Sequence, residues 1–211
     1  MLRLLLALTL VSCTAPTSVT ATSSPAPSPS RSAAPLTTSL PTATLRSSPS
    51  VDPASVPKCV ASQLQAVAAG VQATDFFAGA VFVANRGTAA CTLRGNPEVV
   101  LLTTAGSPLD VRSASVTAGT PKIVVVPVTE FRQDSSGIQG IGASAPLRWE
   151  NYCEDVLPTS FRVTLPDAGG VIAGTFVDFT GKPVSTLGVA RCDDASGPST
   201  FTVYPFQEPV Q

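Results

Sequence analysis

The sequence predicts an all-β domain, an antiparallel β-sandwich stapled by two disulfides, and three observations carry that prediction. From Lys58 onward, short runs rich in Val, Thr and Phe alternate with clusters of Gly, Pro, Asn and Asp. The runs recur along the whole region with little helical period, as in a sandwich. Four cysteines, Cys59, Cys91, Cys153 and Cys192, fall inside this region and make an even set.

The elements follow in chain order. Val60–Gly70 reads as a first strand or irregular structure, with a short helix as the alternative. Phe76–Asn85 (FFAGAVFVAN) is a long apolar strand. Asn85-Arg86-Gly87 then stands where a hairpin turn would, with Gly87 free to take positive φ and the partner strand carrying Ala90-Cys91-Thr92-Leu93. Further strands are expected in Pro97–Thr104, Pro121–Phe131, Ala145–Cys153, Thr159–Pro166, Val171–Phe179 and Ser199–Phe206. In Thr159–Pro166 the alternation is explicit: Phe161, Val163 and Leu165 share one face, Arg162 and Thr164 the other. Trp149, the single tryptophan, is in phase with Leu147 and is assigned to the core.

The region ahead of the domain has two parts. Met1–Ser12 reads as a signal peptide: Arg3 supplies positive charge, and Leu4–Val11 is an apolar run too short to span a bilayer. Leu10-Val11-Ser12-Cys13 resembles the bacterial lipobox. That resemblance implies cleavage before Cys13 and lipidation of its thiol. Two or three acyl chains suffice for stable anchoring, at about 0.8 kcal/mol per buried methylene. The expected location is extracytoplasmic, on the outer face of the bacterial cell membrane. Residues 13–57 are dominated by Ser, Thr, Pro and Ala with no aromatic residue. Such a segment cannot bury enough apolar surface to offset its ordering entropy and is expected to be a disordered linker. At roughly 3.1 Å per residue in polyproline form, its reach is on the order of 100 Å. The β domain then occupies 58–211.

Composition removes several function classes. The 211 residues hold no histidine, so no Ser-His-Asp or Cys-His nucleophile and no imidazole metal site can be built. Met1 is the only methionine. The formal net charge is −1 and the arginines are scattered singly, so no nucleic-acid partner is expected. No catalytic residue and no cofactor is assigned, and the chain is read as a non-enzyme.

Export to an oxidising compartment favours disulfides. Three pairings are open; sequence order favours Cys59–Cys91 and Cys153–Cys192, each worth roughly 3–4 kcal/mol in the chain-entropy model. The second pair would gather four carboxylates, Glu154, Asp155, Asp193 and Asp194, around one bond. Clustered carboxylates suit calcium; the alternative is a solvated acidic patch.

The ordered motifs resemble those of the domain-of-unknown-function family DUF4232. They are Cys59–Leu64, then Val81-Phe82-Val83-Ala84-Asn85-Arg86-Gly87, then Cys91-Thr92-Leu93-Arg94-Gly95-Asn96-Pro97. Ala145-Pro146-Leu147-Arg148-Trp149, Cys153 and Val163-Thr164-Leu165-Pro166 extend the match. Asn96 departs from the pattern, which has an aromatic there. The resemblance implies an immunoglobulin-like sandwich, found mainly in actinobacterial lipoproteins and secreted proteins, and no activity. Partners are then expected among the membrane, through the anchor, and envelope proteins or cell-wall glycan.

Overall fold

Alternation puts most apolar side chains of these strands on one face, and a single curled sheet closes that face into the main core here. A computed structural model describes residues 52–116, 120–134 and 137–209. The signal peptide, Cys13 and the linker up to Val51 lie outside the described residues. The strands are β1 Leu64–Gln72, β2 Phe76–Asn85, β3 Cys91–Arg94, β4 Glu98–Leu102, β5 Arg112–Ser115 and β6 Ile123–Val126. They continue as β7 Arg132–Asp134, β8 Gly137–Gln139, β9 Ala143–Glu150, β10 Ser160–Thr164, β11 Val171–Phe176 and β12 Thr200–Val203. Among the described residues the only helical elements are two single 3-10 turns, Pro53–Ser55 and Ala61–Gln63.

Eight strands form one sheet in the order β4-β10-β11-β1-β2-β9-β12-β5. Its two edge strands, β4 and β5, touch each other, so the sheet curls around its inner face. One apolar cluster fills that face, and the separate β3–β6 ribbon packs its Leu93, Val124 and Val126 into it. The alternation of β10 is realised: Phe161 and Val163 are buried and Arg162 is exposed. Trp149 is fully buried, edge-on to Phe201 at 5.9 Å and tilted against Tyr152 at 4.5 Å. Its indole N–H donates to Ser199 Oγ at 2.8 Å, which satisfies the ring's one polar group.

Two phenylalanines cover glycines across the sheet. Phe161 stands opposite Gly174, and a Cβ there would lie 2.1 Å from the ring. Phe77 occupies the same kind of space over Gly70, where the gap would be 2.3 Å. A second, smaller cluster lies apart from the main core. It consists of Val67, Ala69 and Val177, with Phe82, Phe131 and Ile138 packed against it. Ile138 comes from β8, the partner of β7 in a two-stranded ribbon.

Three expectations need correction. The sheet is mixed: β1–β11 and β12–β5 are parallel, while the other neighbours are antiparallel. Side-chain alternation has the same period in both kinds of pair, so it cannot report strand direction. The hairpin expected after Asn85 does not form. β2 pairs with β1 and β9, and β3 pairs with β6, because the chain leaves the sheet at Asn85 and crosses to the ribbon. Accordingly Gly87 is not among the glycines with positive φ. Lastly, the fold begins ahead of Lys58: Pro57 O accepts from Thr92 N at 2.8 Å, although composition assigned Pro57 to the linker.

Candidate functional site

Two asparagines hold the places where the chain leaves regular structure. Asn85 is completely buried. Its Nδ2 donates to Ala89 O at 2.9 Å and Val126 O at 3.1 Å, and its Oδ1 accepts from Gly87 N at 2.9 Å. One side chain thus ties β2, the crossover and β6 together. Asn96, where the resemblance led to the expectation of an aromatic, donates from Nδ2 to both Val116 O at 3.0 Å and Val203 O at 3.1 Å, a pair of bonds that the single donor of a Tyr or Trp cannot supply.

The cysteines pair as Cys59–Cys91 and Cys153–Cys192, the pairs that sequence order favours. Their settings differ. Cys59 and Cys91 belong to the main core, whereas Cys153 and Cys192 are exposed. At the exposed pair, Asn151 takes a left-handed backbone, φ 52°, which asparagine tolerates better than most residues.

The four candidate calcium ligands do not converge into a cation cage. Among the described residues no group of three or more acidic or cysteine side chains is placed to hold a metal. Asp193 instead pairs with Arg191 at 3.3 Å. Asp194 Oδ1 accepts from Ser196 N at 2.9 Å and Ser196 Oγ at 2.7 Å. Those bonds, the hydroxyl's first, hold the Asp194 carboxyl below the usual carboxylate range. A disulfide brings backbones together, but Asp193 and Asp194 turn to local donors, and Glu154 and Asp155 lie exposed to solvent. Burial, then the charge of Glu154, pushes the Tyr152 phenol up.

The surface feature with most capacity to bind lies along β6. Thr92 directs its N–H to Pro57 and its C=O to Cys59, away from β6. Thr92 is opposite Val125, so the pair makes no mutual bonds, and the ladder runs through Cys91–Val126 and Leu93–Val124. The N–H and C=O of Ile123 and Val125 therefore face outward, along an edge with no ladder partner among the described residues. A groove of about 650 Å³ lies beside that edge, lined by Ile123, Val124, Pro146, Tyr204 and Phe206. Lys122 and Glu208 also line it. A second groove, about 670 Å³, shares Pro121 and Ile123 with the first and extends to Lys58 and Arg94. Tyr204 is half-buried, whereas Trp149 and Tyr152 are buried and unavailable to a ligand.

The edge was not legible in advance, because a strand's pairing partners do not show in its own residues. The signals present were Pro121, two residues ahead of β6, and Pro127, directly after it and inside the expected strand Pro121–Phe131, since prolines in and around a strand suit an edge.

Residues 59–207 match the family model described as a domain of unknown function, DUF4232. No curated protein and no solved structure matches the chain.

Proposed function

The chain belongs to the DUF4232 family, and from that premise we propose that it is a membrane-anchored cell-envelope lipoprotein presenting a noncatalytic interaction module. The anchor is a lipid on Cys13, and the presented domain is an immunoglobulin-like variant of the β-sandwich. The observation that carries the interaction reading is the outward-facing backbone of Ile123 and Val125 beside an apolar groove. An extended segment of an envelope protein can add to such an edge as a strand. Backbone bonds then supply affinity, and alternate side chains enter the groove.

Two variants test the two halves of this reading. Cys13→Ser should release the chain from the membrane fraction with its domain folded; retention in the membrane would refute the anchor. Val125→Pro removes an outward N–H while sparing the ladder to β3. Capture of a defined envelope protein by the wild-type chain should be lost in Val125→Pro, with the far-UV spectrum unchanged. Equal capture by both would refute edge pairing.

Tyr204 favours a second reading, binding of cell-wall glycan or a small solute in the same groove, with the ring as a stacking platform. Sedimentation with purified peptidoglycan, abolished by Tyr204→Ala and untouched by Val125→Pro, would select it.

A further inference from the structure

The two disulfides differ in more than position. Cys59–Cys91 is sealed in the core at 3% and 1% exposure. Cys153–Cys192 is open to solvent, next to a polar hollow of about 320 Å³ lined by Asp110, Arg112, Cys153 and Glu154 among others. Exposure is what makes a disulfide labile toward thiols.

The loops joined by Cys153–Cys192 are also held without it. Asn151 Nδ2 donates to Asp194 O at 2.8 Å and Gly197 O at 3.0 Å. Asn151 Oδ1 accepts from Asp193 N at 3.1 Å and Asp194 N at 2.8 Å. One residue away, Glu150 and Thr200 end the β9–β12 ladder, and Tyr152 and Ala190 are anchored in the core. Opening the bond therefore leaves the flanking backbone tied.

We infer that Cys153–Cys192 is a native-state thiol–disulfide exchange site, open to small cationic or uncharged thiols and filtered against anionic ones, while Cys59–Cys91 is a closed structural bond. The filter is the acidic surround. Glu154, Asp155, Asp193 and Asp194 directly follow the two cysteines in sequence and are all exposed; with Asp110 in the adjoining hollow they outnumber the nearby cations, Arg112, which lines that hollow, and Arg191, which pairs with Asp193 at 3.3 Å. An incoming thiolate carries negative charge at sulfur, so a second negative charge on the reagent is repelled further.

The local geometry also orders the step. Cys153 Sγ lies 3.6 Å from Asn151 Oδ1 and 3.7 Å from Asp194 O. These oxygens disfavour a thiolate on Cys153 and would accept a hydrogen bond from its reduced thiol. The better leaving group is Cys192. The thiolate attacks Cys153 Sγ; a mixed disulfide forms, the Cys153–Cys192 bond breaks, and Cys192 departs with the electron pair and takes a proton from water. A second thiol attacks the reagent's sulfur in the mixed disulfide and expels Cys153 as a thiolate, which is protonated in turn. The reagent ends as its disulfide, oxidised by two electrons, and the protein holds two thiols.

The test uses the folded full chain, with any free Cys13 thiol blocked beforehand. Cysteamine, 2-mercaptoethanol and 3-mercaptopropionate, cationic, neutral and anionic, are compared at equal thiolate concentration, each rate divided by that reagent's rate with an uncharged small-molecule disulfide to remove its intrinsic nucleophilicity. New thiols are alkylated and assigned by peptide mapping. The expected result is labelling at Cys153 and Cys192, none at Cys59 and Cys91, and an unchanged near-UV spectrum. Rates should fall in the order cationic, neutral, anionic, with a spread on the order of tenfold at low ionic strength that collapses in molar salt. Labelling of all four cysteines together, labelling only in denaturant, or rates indifferent to reagent charge would overturn the proposal. In Asn151→Ala, reduction should erase the near-UV signal that wild type keeps; an unaltered spectrum would overturn the role given to Asn151.

Discussion

Replacing Asn85 tests how the β3–β6 ribbon is tied to the curled sheet. Asn85→Ala removes three hydrogen bonds, to Ala89 O, Val126 O and Gly87 N. Val126 O keeps its ladder bond from Cys91, and Ala89 is exposed and Gly87 only part-buried, which leaves the Ala89 carbonyl and the Gly87 N–H open to water. No partner is then wholly orphaned, and at about 1 kcal/mol per bond the expected loss is about 3 kcal/mol. That is a large share of the roughly 5–15 kcal/mol that keeps a domain folded. Asn85→Asp is the sharper variant. It keeps the acceptor for Gly87 N but turns a carboxylate oxygen toward the two carbonyls. An uncompensated buried charge costs about 3–5 kcal/mol, so Asp should be worse than Ala at neutral pH. The buried carboxyl's pKa is raised in the folded state, so the penalty is present at neutral pH and relieved as pH falls and the group protonates. Urea unfolding followed by Trp149 fluorescence reads all three chains, with an unchanged denaturant slope expected. A loss under about 1 kcal/mol for Ala, an Asp variant no worse than Ala, or no recovery in acid would refute the reasoning.

Two further outcomes are expected. Gly174→Ala places a Cβ 2.1 Å from the Phe161 ring, and forcing that ring off its stack with Phe176 should cost about 1–3 kcal/mol in urea unfolding. The Asp178 and Asp194 carboxyls are both held low, first by hydrogen bonds from Thr180 and Ser196. Their contribution is present above the unfolded carboxylate range and lost as pH falls through the folded values. In Asp178→Asn/Asp194→Asn the acid-side fall in melting temperature should therefore be shallower than in wild type; an identical profile would count against the two turns.

Residue pattern alone determined the all-β class, most strand positions and the burial of Trp149, because alternation and β-branched composition act within a few residues. It overlooked β5, β7 and β8: Arg112–Ser115 and Arg132–Asp134 are polar, and Gly137–Gln139 is only three residues long. Cysteine parity pointed to two bonds, and both are present. Tertiary structure decided what depends on contacts between residues distant in sequence. It made the sheet mixed, sent β3 to β6 instead of β2, and left the Ile123 and Val125 backbone facing outward. It also dispersed the four carboxylates beside Cys153 and Cys192, since each found a local partner or solvent. And it buried one disulfide while exposing the other, a difference that two similarly spaced cysteine pairs cannot express in sequence, because burial is set by what the rest of the chain packs over them.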